Sequence, residues 1–307
     1  MTKIFIDGSA GTTGLRIRER LAERRDLELI TLTEAQRKDT EARRDALNRA
    51  DAAFLCLPDA AAKEAVGLIE NDHTAVIDTS TAHRVDPKWT YGFAELHGLR
   101  KQIPLSKRIA NPGCHASGFL ALVTPLIELG ILPADSLLSC FSLTGYSGGG
   151  KSMIAEYEAP ERDALLDAPR QYGITQKHKH LPEMQQVSGL LTAPLFSPIV
   201  APFYAGMEVT VPLHKSQLKG GIPDIQAAYA DYYTQGLVRF IADASENNFL
   251  SAGAFAGRDD MQVTVCGNDD RILLVSRFDN LGKGASGAAI QNLNLLLGVD
   301  ETLGLNV

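Results

Sequence analysis

A chain of 307 residues has room for one large domain or two, and 45% hydrophobic with 22% charged residues is the composition of a folded protein, not a disordered or fibrous one. A formal net charge of -7 and a pI near 5.5 argue against nucleic acid as the main partner, because nucleic acid asks for a basic face. No charged-then-apolar leader precedes the first strand-like run. The longest apolar stretch, Phe119 to Leu132, is too short to cross a bilayer and contains Pro125 and Glu128. The expectation is a cytoplasmic protein with no membrane partner.

Lys3 to Asp7 reads as a short apolar strand, followed by the loop Gly8-Ser9-Ala10-Gly11-Thr12-Thr13-Gly14 and by helical spacing over Leu15 to Leu21. Further apolar runs cover Leu27 to Leu32, Ala52 to Leu57 (ended by Pro58) and Ala75 to Asp78, with a helical stretch from Ala60 to Glu70 among them. Short apolar strands alternating with helices predict an α/β fold with a Rossmann-type, doubly wound parallel sheet.

The pattern changes after Cys114. Leu137 to Leu143, Leu195 to Val200, Met207 to Leu213, Met261 to Cys266 and Ile272 to Arg277 are strand-like and show no regular helices between them. Met207 to Leu213 alternates with period two, as a half-buried strand should. This predicts a second, α+β domain with a mixed or antiparallel sheet. From Gly287 the helical pattern returns through Ala288, Ala289, Leu293, Leu296 and Leu297. The expected division is residues 1–114 with 280–307 for the cofactor, and 115–279 for catalysis and oligomerisation.

A strand feeding Gly8-x-x-Gly11-x-x-Gly14 and then a helix is the setting of a dinucleotide-binding turn. Glycines let the backbone approach a pyrophosphate, and the helix start offers unpaired N–H groups and a positive dipole end. The plainer reading is an ordinary glycine-rich turn, since Ala10 stands where the common pattern has glycine. Past the second strand, Glu34 lies near the position of a ribose-binding carboxylate, but Arg37 and Lys38 follow it. Two cations there suit a 2′-phosphate, which favours NADP over NAD; solvated surface charge is the alternative.

The most informative stretch is Asn111-Pro112-Gly113-Cys114-His115-Ala116-Ser117-Gly118. Turn residues precede Cys114 and an apolar helix follows it, so this thiol sits at a helix N-terminus, where the dipole favours a thiolate. Cys56, Cys140 and Cys266 read as small buried hydrophobes. The four cysteines are scattered, lack paired metal spacing and are expected to be reduced. Gln176-Lys177-His178-Lys179-His180-Leu181-Pro182-Glu183 holds the one histidine cluster. On an extended segment His178 and His180 would point the same way, beside a thiolate that needs an acid/base partner. A metal reading of His-x-His lacks a third ligand. His73, His83, His97 and His214 read as surface or hydrogen-bonded structural residues. Gly145-Tyr146-Ser147-Gly148-Gly149-Gly150-Lys151 is a second glycine-rich loop. It is either a flexible connection or a presentation of backbone N–H groups and Lys151 to a substrate phosphate or carboxylate.

With these residues in hand the chain resembles the N-acetyl-γ-glutamyl-phosphate reductase family in its short-chain form. The resemblance runs from the Gly8 loop to Gly298 and is carried by the Gly8–Gly14 loop, Asn111-Pro112-Gly113-Cys114, Gly145-x-Ser147-Gly148-Gly149-Gly150, His178-Lys179-His180-x-Pro182-Glu183 and Asp279-Asn280-Leu281-Gly282-Lys283-Gly284-Ala285-Ser286-Gly287. It implies Cys114 as nucleophile, His178 as acid/base, and Tyr172 and His180 nearby. It also implies that Asn280, Gly282 and Gly284 lie by the nicotinamide of NADP. The expected cofactor set is then Gly8, Ser9, Gly11, Thr12, Thr13, Gly14, Arg37, Lys38, Ser80, Asn280, Gly282 and Gly284, and the expected substrate set Asn111, Ser147, Gly148, Lys151, Tyr172 and His180. The resemblance further implies arginine biosynthesis, an acyl-phosphate substrate, a homo-oligomer, and a C-terminal helix that packs onto the cofactor domain. His115-Ala116-Ser117 replaces the Tyr-Pro-Thr of the long-chain form, and Ala205 replaces the arginine of its Pro-x-x-Arg-Gly motif, leaving Lys151 or another cation to bind the substrate anion. The rivals are an aspartate- or aminoadipate-type semialdehyde dehydrogenase and, from another class, a catalytically silent NADP-binding sensor.

Overall fold

The computed structural model describes residues 1–96 and 98–307, so the structural role expected for His97 lies outside the described residues. The first of two compact units comprises Met1–Ala94, Gly98–Pro112 and Ala285–Leu305. In chain order it holds β1 (Thr2–Asp7), α1 (Thr12–Ala22), β2 (Leu27–Ile30), α2 (Thr40–Arg49), β3 (Ala52–Leu55), α3 (Asp59–Gly67), β4 (Ala75–Asp78), β5 (Thr90–Tyr91), α4 (Leu99–Gln102) and β6 (Arg108–Ala110). All six strands run parallel in the order β2-β1-β3-β4-β6-β5. The strands are apolar on both faces because helices cover both, and Phe5, Leu47, Ala53, Leu55 and Val76 pack into one core. The α1 helix buries Gly14, Ile17 and Leu21, spaced three and four apart on one face. The chain leaves β1 for β2 on one side and then crosses to β3 on the other. The crevice of a doubly wound sheet opens at such a reversal, over the carboxyl ends of the strands.

The second unit comprises Gly113–Gly284 with Glu95 and Asn306–Val307. It holds α5 (Cys114–Glu128), β7 (Ser139–Gly145), α6 (Gly150–Glu158), β8 (Arg170–Gln171), α7 (Leu181–Ser188), β9 (Leu195–Ala201), β10 (Met207–His214), α8 (Ile222–Tyr232), β11 (Val238–Phe240), β12 (Met261–Gly267) and β13 (Arg271–Phe278). Its seven strands form a mixed sheet in the order β11-β12-β13-β10-β7-β9-β8. The closing helix α9 (Gly287–Leu297) belongs to the first unit, where it packs on α1 and β4. The α/β architecture with a parallel sheet and a second, mixed sheet is the one the sequence predicts.

One expectation is corrected in part: α6 and α7 lie between β7 and β9, and α8 between β10 and β11, while β9 to β10 and β11 to β13 follow one another without a helix. These helices open on Gly150, on Leu181-Pro182 and on Ile222-Pro223, so their turn residues mask the helical period.

The α5 helix is buried on every side from His115 to Leu126 and packs on β10, β13, α7 and α8. Two features hold it. At Gly118 a Cβ would lie 2.4 Å from Val209 Cγ2 and 2.8 Å from Ser276 Oγ, so only glycine lets the helix lie this close to the sheet, and Ser276 Oγ donates to the Gly118 carbonyl at 3.2 Å. Pro125 inside the helix removes the N–H that the Ala121 carbonyl would accept. The Tyr233 hydroxyl supplies the missing donor at 2.6 Å, and Tyr229 caps the Leu122 carbonyl at 2.5 Å.

Candidate active site

Cys114 opens α5. Its N-cap, Gly113, is extended (φ -82°, ψ 146°) and offers no side chain to the helix start. The first intrahelical bond is Ser117 N–H to the Gly113 carbonyl at 2.8 Å, so the amides of residues 114–116 precede the ladder and form a helix N-terminus around the thiol. The Gly113 N–H instead donates to the buried Glu183 carboxylate at 3.2 Å, which ties the start of α7 to the start of α5.

Around Cys114 the second unit gathers His115, Tyr172, His178, His180 and Phe196. The His178 and His180 rings lie 4.7 Å apart, edge to face. His115 stands 5.6 Å from His178, 5.5 Å from His180 and 5.3 Å from Phe196. The paired direction of His178 and His180 does not come from an extended segment, as expected, but from a turn: His180 N–H donates to His178 Nδ1 at 3.2 Å, and Leu181 N–H to the His178 carbonyl at 3.1 Å. Since Nδ1 accepts, the proton of the neutral His178 ring sits on Nε2. His180 is buried, with Nε2 3.9 Å from Glu183.

His115 is buried, and its imidazole pKa is pushed down to about 3, first by burial and then by the neighbouring His178 and Lys179. Burial, with the charge of Cys114 added, raises the Tyr172 phenol well above its ordinary value, so it stays protonated. Cys140 is buried and its thiol is raised, and burial pushes Cys56 up to about 12, which leaves both as poor nucleophiles. Cys56 and Cys266 each keep some exposed surface, against the expectation that they are buried.

A turn from the end of β13 closes on the nucleophile. Asp279 accepts N–H bonds from Leu281 (2.6 Å), Gly282 (2.9 Å) and Gly257 (2.5 Å), and so fixes the turn. A buried ion pair, Lys283 Nζ to Glu95 at 2.7 Å, anchors its middle. A Cβ on Gly284 would sit 2.9 Å from Cys114 Cβ and 3.1 Å from the Asp279 carbonyl. Gly284→Ala is therefore expected to displace the thiol and slow both turnover and alkylation of Cys114 by about 10-fold or more, since an ångström of misplacement costs on the order of 100-fold. Iodoacetamide trapping alongside steady-state assays measures this; unchanged rates in both would show that the turn gives way freely.

Asn280 joins two loops. Its Nδ2 donates to Ser147 Oγ at 3.0 Å and its Oδ1 accepts Gly206 N–H at 3.0 Å, so it fixes both the second glycine-rich loop and the loop bearing Ala205. That glycine-rich segment is not an irregular connection. It forms a short 3-10 turn, Tyr146–Gly149, that runs into α6. Gly148 is exposed beside Asn280, and Lys151 is exposed in the first turn of α6, with no described contact to the Cys114 cluster.

The remaining expected residues belong to the first unit. Gly8 has φ +84°, and a Cβ there would lie 2.2 Å from the Cys56 carbonyl; on Gly14 it would lie 2.5 Å from the Gly8 carbonyl. Both glycines are thus required to fold the loop onto β3 and itself. The first bond of α1 is Leu15 N–H to the Gly11 carbonyl, which leaves the amides of Thr12, Thr13 and Gly14 ahead of the ladder, with no acidic residue in that turn. Thr12 Oγ1 is buried without a partner among the described residues. Beside the loop, Asp7, Gly8, Ser9, Arg18, Thr31, Leu32 and Arg37 line a pocket. A glycine cradle, an unpaired helix start and a pocket edged by two arginines fit a phosphorylated dinucleotide. Lys38 is exposed and outside that lining.

Ser80 donates to Asp78 Oδ2 (2.8 Å) and accepts Ala82 N–H (3.1 Å); Asp78 also holds His83 Nδ1 at 2.6 Å, so His83 is a buried structural residue. Both ends of the Asn111 amide are engaged within the unit: Nδ2 with the Ala285 carbonyl, and Oδ1 with Asn292.

The sequence reading assigned no role to His115, Ser142, Glu183, Glu95, Lys283 or Arg18. His115, Glu183 and Lys283 sit inside quoted motifs, and only the departure from Tyr-Pro-Thr drew attention to His115.

A thiol at a helix start, paired histidines and a glycine turn pressed on the thiol, in a chain that also carries a dinucleotide-type loop, define the class of thiol-dependent nicotinamide oxidoreductases. The comparisons agree. Residues 3–104 match the family profile of the semialdehyde dehydrogenase NAD binding domain, and residues 114–280 that of the semialdehyde dehydrogenase dimerisation domain. Two curated relatives, from Brucella ovis and Brucella abortus, are named N-acetyl-gamma-glutamyl-phosphate reductase. Each is 48% identical over 306 residues, covering 96% of this chain and 99% of the relative. Among solved structures, aspartate semialdehyde dehydrogenase II of Vibrio cholerae superposes with a TM-score of 0.72 at 16% identity (97% of this chain, 98% of that one). Aspartate semialdehyde dehydrogenase of Candida albicans, solved with NADP, gives 0.62 at 12% identity (97% and 99%). The chain belongs to the semialdehyde dehydrogenase family and, within it, to the N-acetyl-gamma-glutamyl-phosphate reductases.

Proposed function

We propose that this protein reduces N-acetyl-γ-glutamyl phosphate to N-acetylglutamate 5-semialdehyde and phosphate with NADPH, a step of arginine biosynthesis, in the cytoplasm. The observation that carries the reading is Cys114 at a helix start beside His178, His180 and Tyr172, in a chain nearly half identical over its length to reductases of that name.

Cys114 Sγ bonds to the acyl carbon as the carbon–oxygen bond to phosphate breaks, which leaves a thioester. A bound nicotinamide cofactor supplies the hydride that reduces this carbon. His178, in its imidazolium form, protonates the oxygen of the thiohemiacetal. It takes that proton back as the carbon–sulfur bond breaks and the aldehyde leaves. The amides at the start of α5 face the oxygen that gathers charge, an effect typically worth ~3–4 kcal/mol. Arg37, with Arg18 on the same pocket, is our assignment for the 2′-phosphate of NADP. Gly8, Gly11 and Gly14 hold the pyrophosphate.

The test is phosphate-dependent reduction of NADP by N-acetylglutamate, aspartate and aminoadipate semialdehydes, repeated with NAD. N-acetylglutamate semialdehyde with NADP is expected to lead in kcat/KM by on the order of 100-fold. A lead by aspartate semialdehyde overturns the substrate assignment.

The uncovered side of the second sheet supports a homo-oligomer. Phe141, Leu195 and Leu273 are exposed there, on β7, β9 and β13 and on one face by register. Phe141→Glu is expected to shift the protein toward monomers in sedimentation velocity; an unchanged profile removes that face from the subunit contact.

A further inference from the structure

Next to the nucleophile lies a three-membered hydrogen-bond chain. Ser142 Oγ is 2.6 Å from His115 Nδ1, and His115 Nε2 is 2.6 Å from Tyr172 Oη. Ser142 is completely buried on β7, His115 is buried on the first turn of α5, and Tyr172 is half-buried after β8. A neutral imidazole carries one N–H, so the chain contains three transferable protons, one on each member, and only two hydrogen bonds to use them. One hydroxyl proton must be left over, and the tautomer of His115 decides which.

With the proton on Nδ1, His115 donates to Ser142 and accepts from Tyr172. The leftover proton is then that of Ser142, which has no other hydrogen-bond partner among the described residues and no access to water. With the proton on Nε2, Ser142 donates to Nδ1 and His115 donates to Tyr172 Oη. The leftover proton is then that of Tyr172, on a residue open to the site. A buried hydroxyl donor without an acceptor is the costlier choice, so the second arrangement wins.

We propose that Ser142 and His115 are positioning residues that lock the Nε2–H tautomer and so turn the Tyr172 O–H outward, as a hydrogen-bond donor to the oxygen that gathers negative charge on the carbon attacked by Cys114. The surroundings agree with a fixed neutral ring. His115 is enclosed by Phe196, His178 and His180, with Lys179 close enough to disfavour a second proton. Tyr172 lies within the field of Cys114 and 5.9 Å from the His178 ring. Tyr172 remains a phenol rather than a phenolate, so its donor persists across the working pH range. This deepens the reading of the site as an acyl-phosphate reductase, and its catalytic part rests on that reading.

Two measurements test it. Long-range proton–nitrogen NMR on histidine-labelled wild-type protein reads the tautomer directly, with no substrate. The expected result is a protonated Nε2 and an unprotonated Nδ1 on His115; the opposite tautomer overturns the proposal. Kinetics then read the consequence. His115→Leu and Tyr172→Phe are each expected to lower kcat by about 10- to 100-fold with little change in the KM for NADPH, and the double variant is expected to be no slower than Tyr172→Phe alone. His115→Gln, whose amide N–H can stand in for Nε2–H, is expected to restore most of the loss. Multiplicative losses in the double variant, or no rescue by His115→Gln in a protein that melts like wild type, overturn the positioning role. Absence of acyl-phosphate reduction by the wild type would instead remove the proposed function and leave the tautomer assignment standing on the NMR result.

Discussion

Cys114→Ser is expected to abolish phosphate-dependent reduction of NADP by N-acetylglutamate semialdehyde, by on the order of 10³-fold or more, while NADPH binding stays near wild type. A serine hydroxyl fills the same place at the start of α5, but its proton is held far more tightly than that of a free thiol of pKa ~8.5, so it presents no anion to the acyl carbon. The loop assigned to NADPH lies in the first unit and Cys114 in the second, so fluorescence titration with NADPH separates loss of chemistry from loss of fold. Retained turnover in the serine variant would take Cys114 out of the reaction.

The next largest effect is expected at His178. His178→Gln keeps an amide N–H near the position of Nε2 but cannot pass a proton back and forth. A fall in kcat of about 10²- to 10⁴-fold is expected, with the KM for substrate changing far less. The pH profile supplies the second readout. A general acid/base contributes a limb to kcat against pH, and that limb should disappear in the variant. A fall in kcat with the limb intact would move the role to another group, and His180, buried against Glu183, is the first to examine. His115 is excluded on physical grounds, because burial holds its pKa down to about 3 and it stays neutral where the enzyme works.

Much of this was legible in the residues. Continuous apolar runs such as Ile4 to Ile6 and Ala52 to Leu55 announce strands covered on both faces, and the alternation of Met207 to Leu213 announces a sheet covered on one. The Gly8–Gly14 loop and the Gly113-Cys114 helix start are local features, determined by residues adjacent in sequence, so sequence suffices to find them. The helices α6, α7 and α8 escaped because each opens on glycine or proline, which read as loop.

The sequence by itself therefore determined the parallel and mixed sheets, the thiol at a helix start and the histidine pair. Each follows from periodicity, turn chemistry or a short motif. The tertiary structure alone decided what stands around the thiol. His115 meets Ser142 across 27 positions and Tyr172 across 57, Glu183 reaches Gly113 across 70, and Lys283 meets Glu95 across 188. Contacts of that separation are set by how α5 lies on the second sheet, held close by the absent side chain of Gly118 and by the tyrosine hydroxyls over Leu122 and Ala121. Nothing local encodes them, because the proton arrangement at His115 depends on whether a serine on a distant strand has anywhere else to donate.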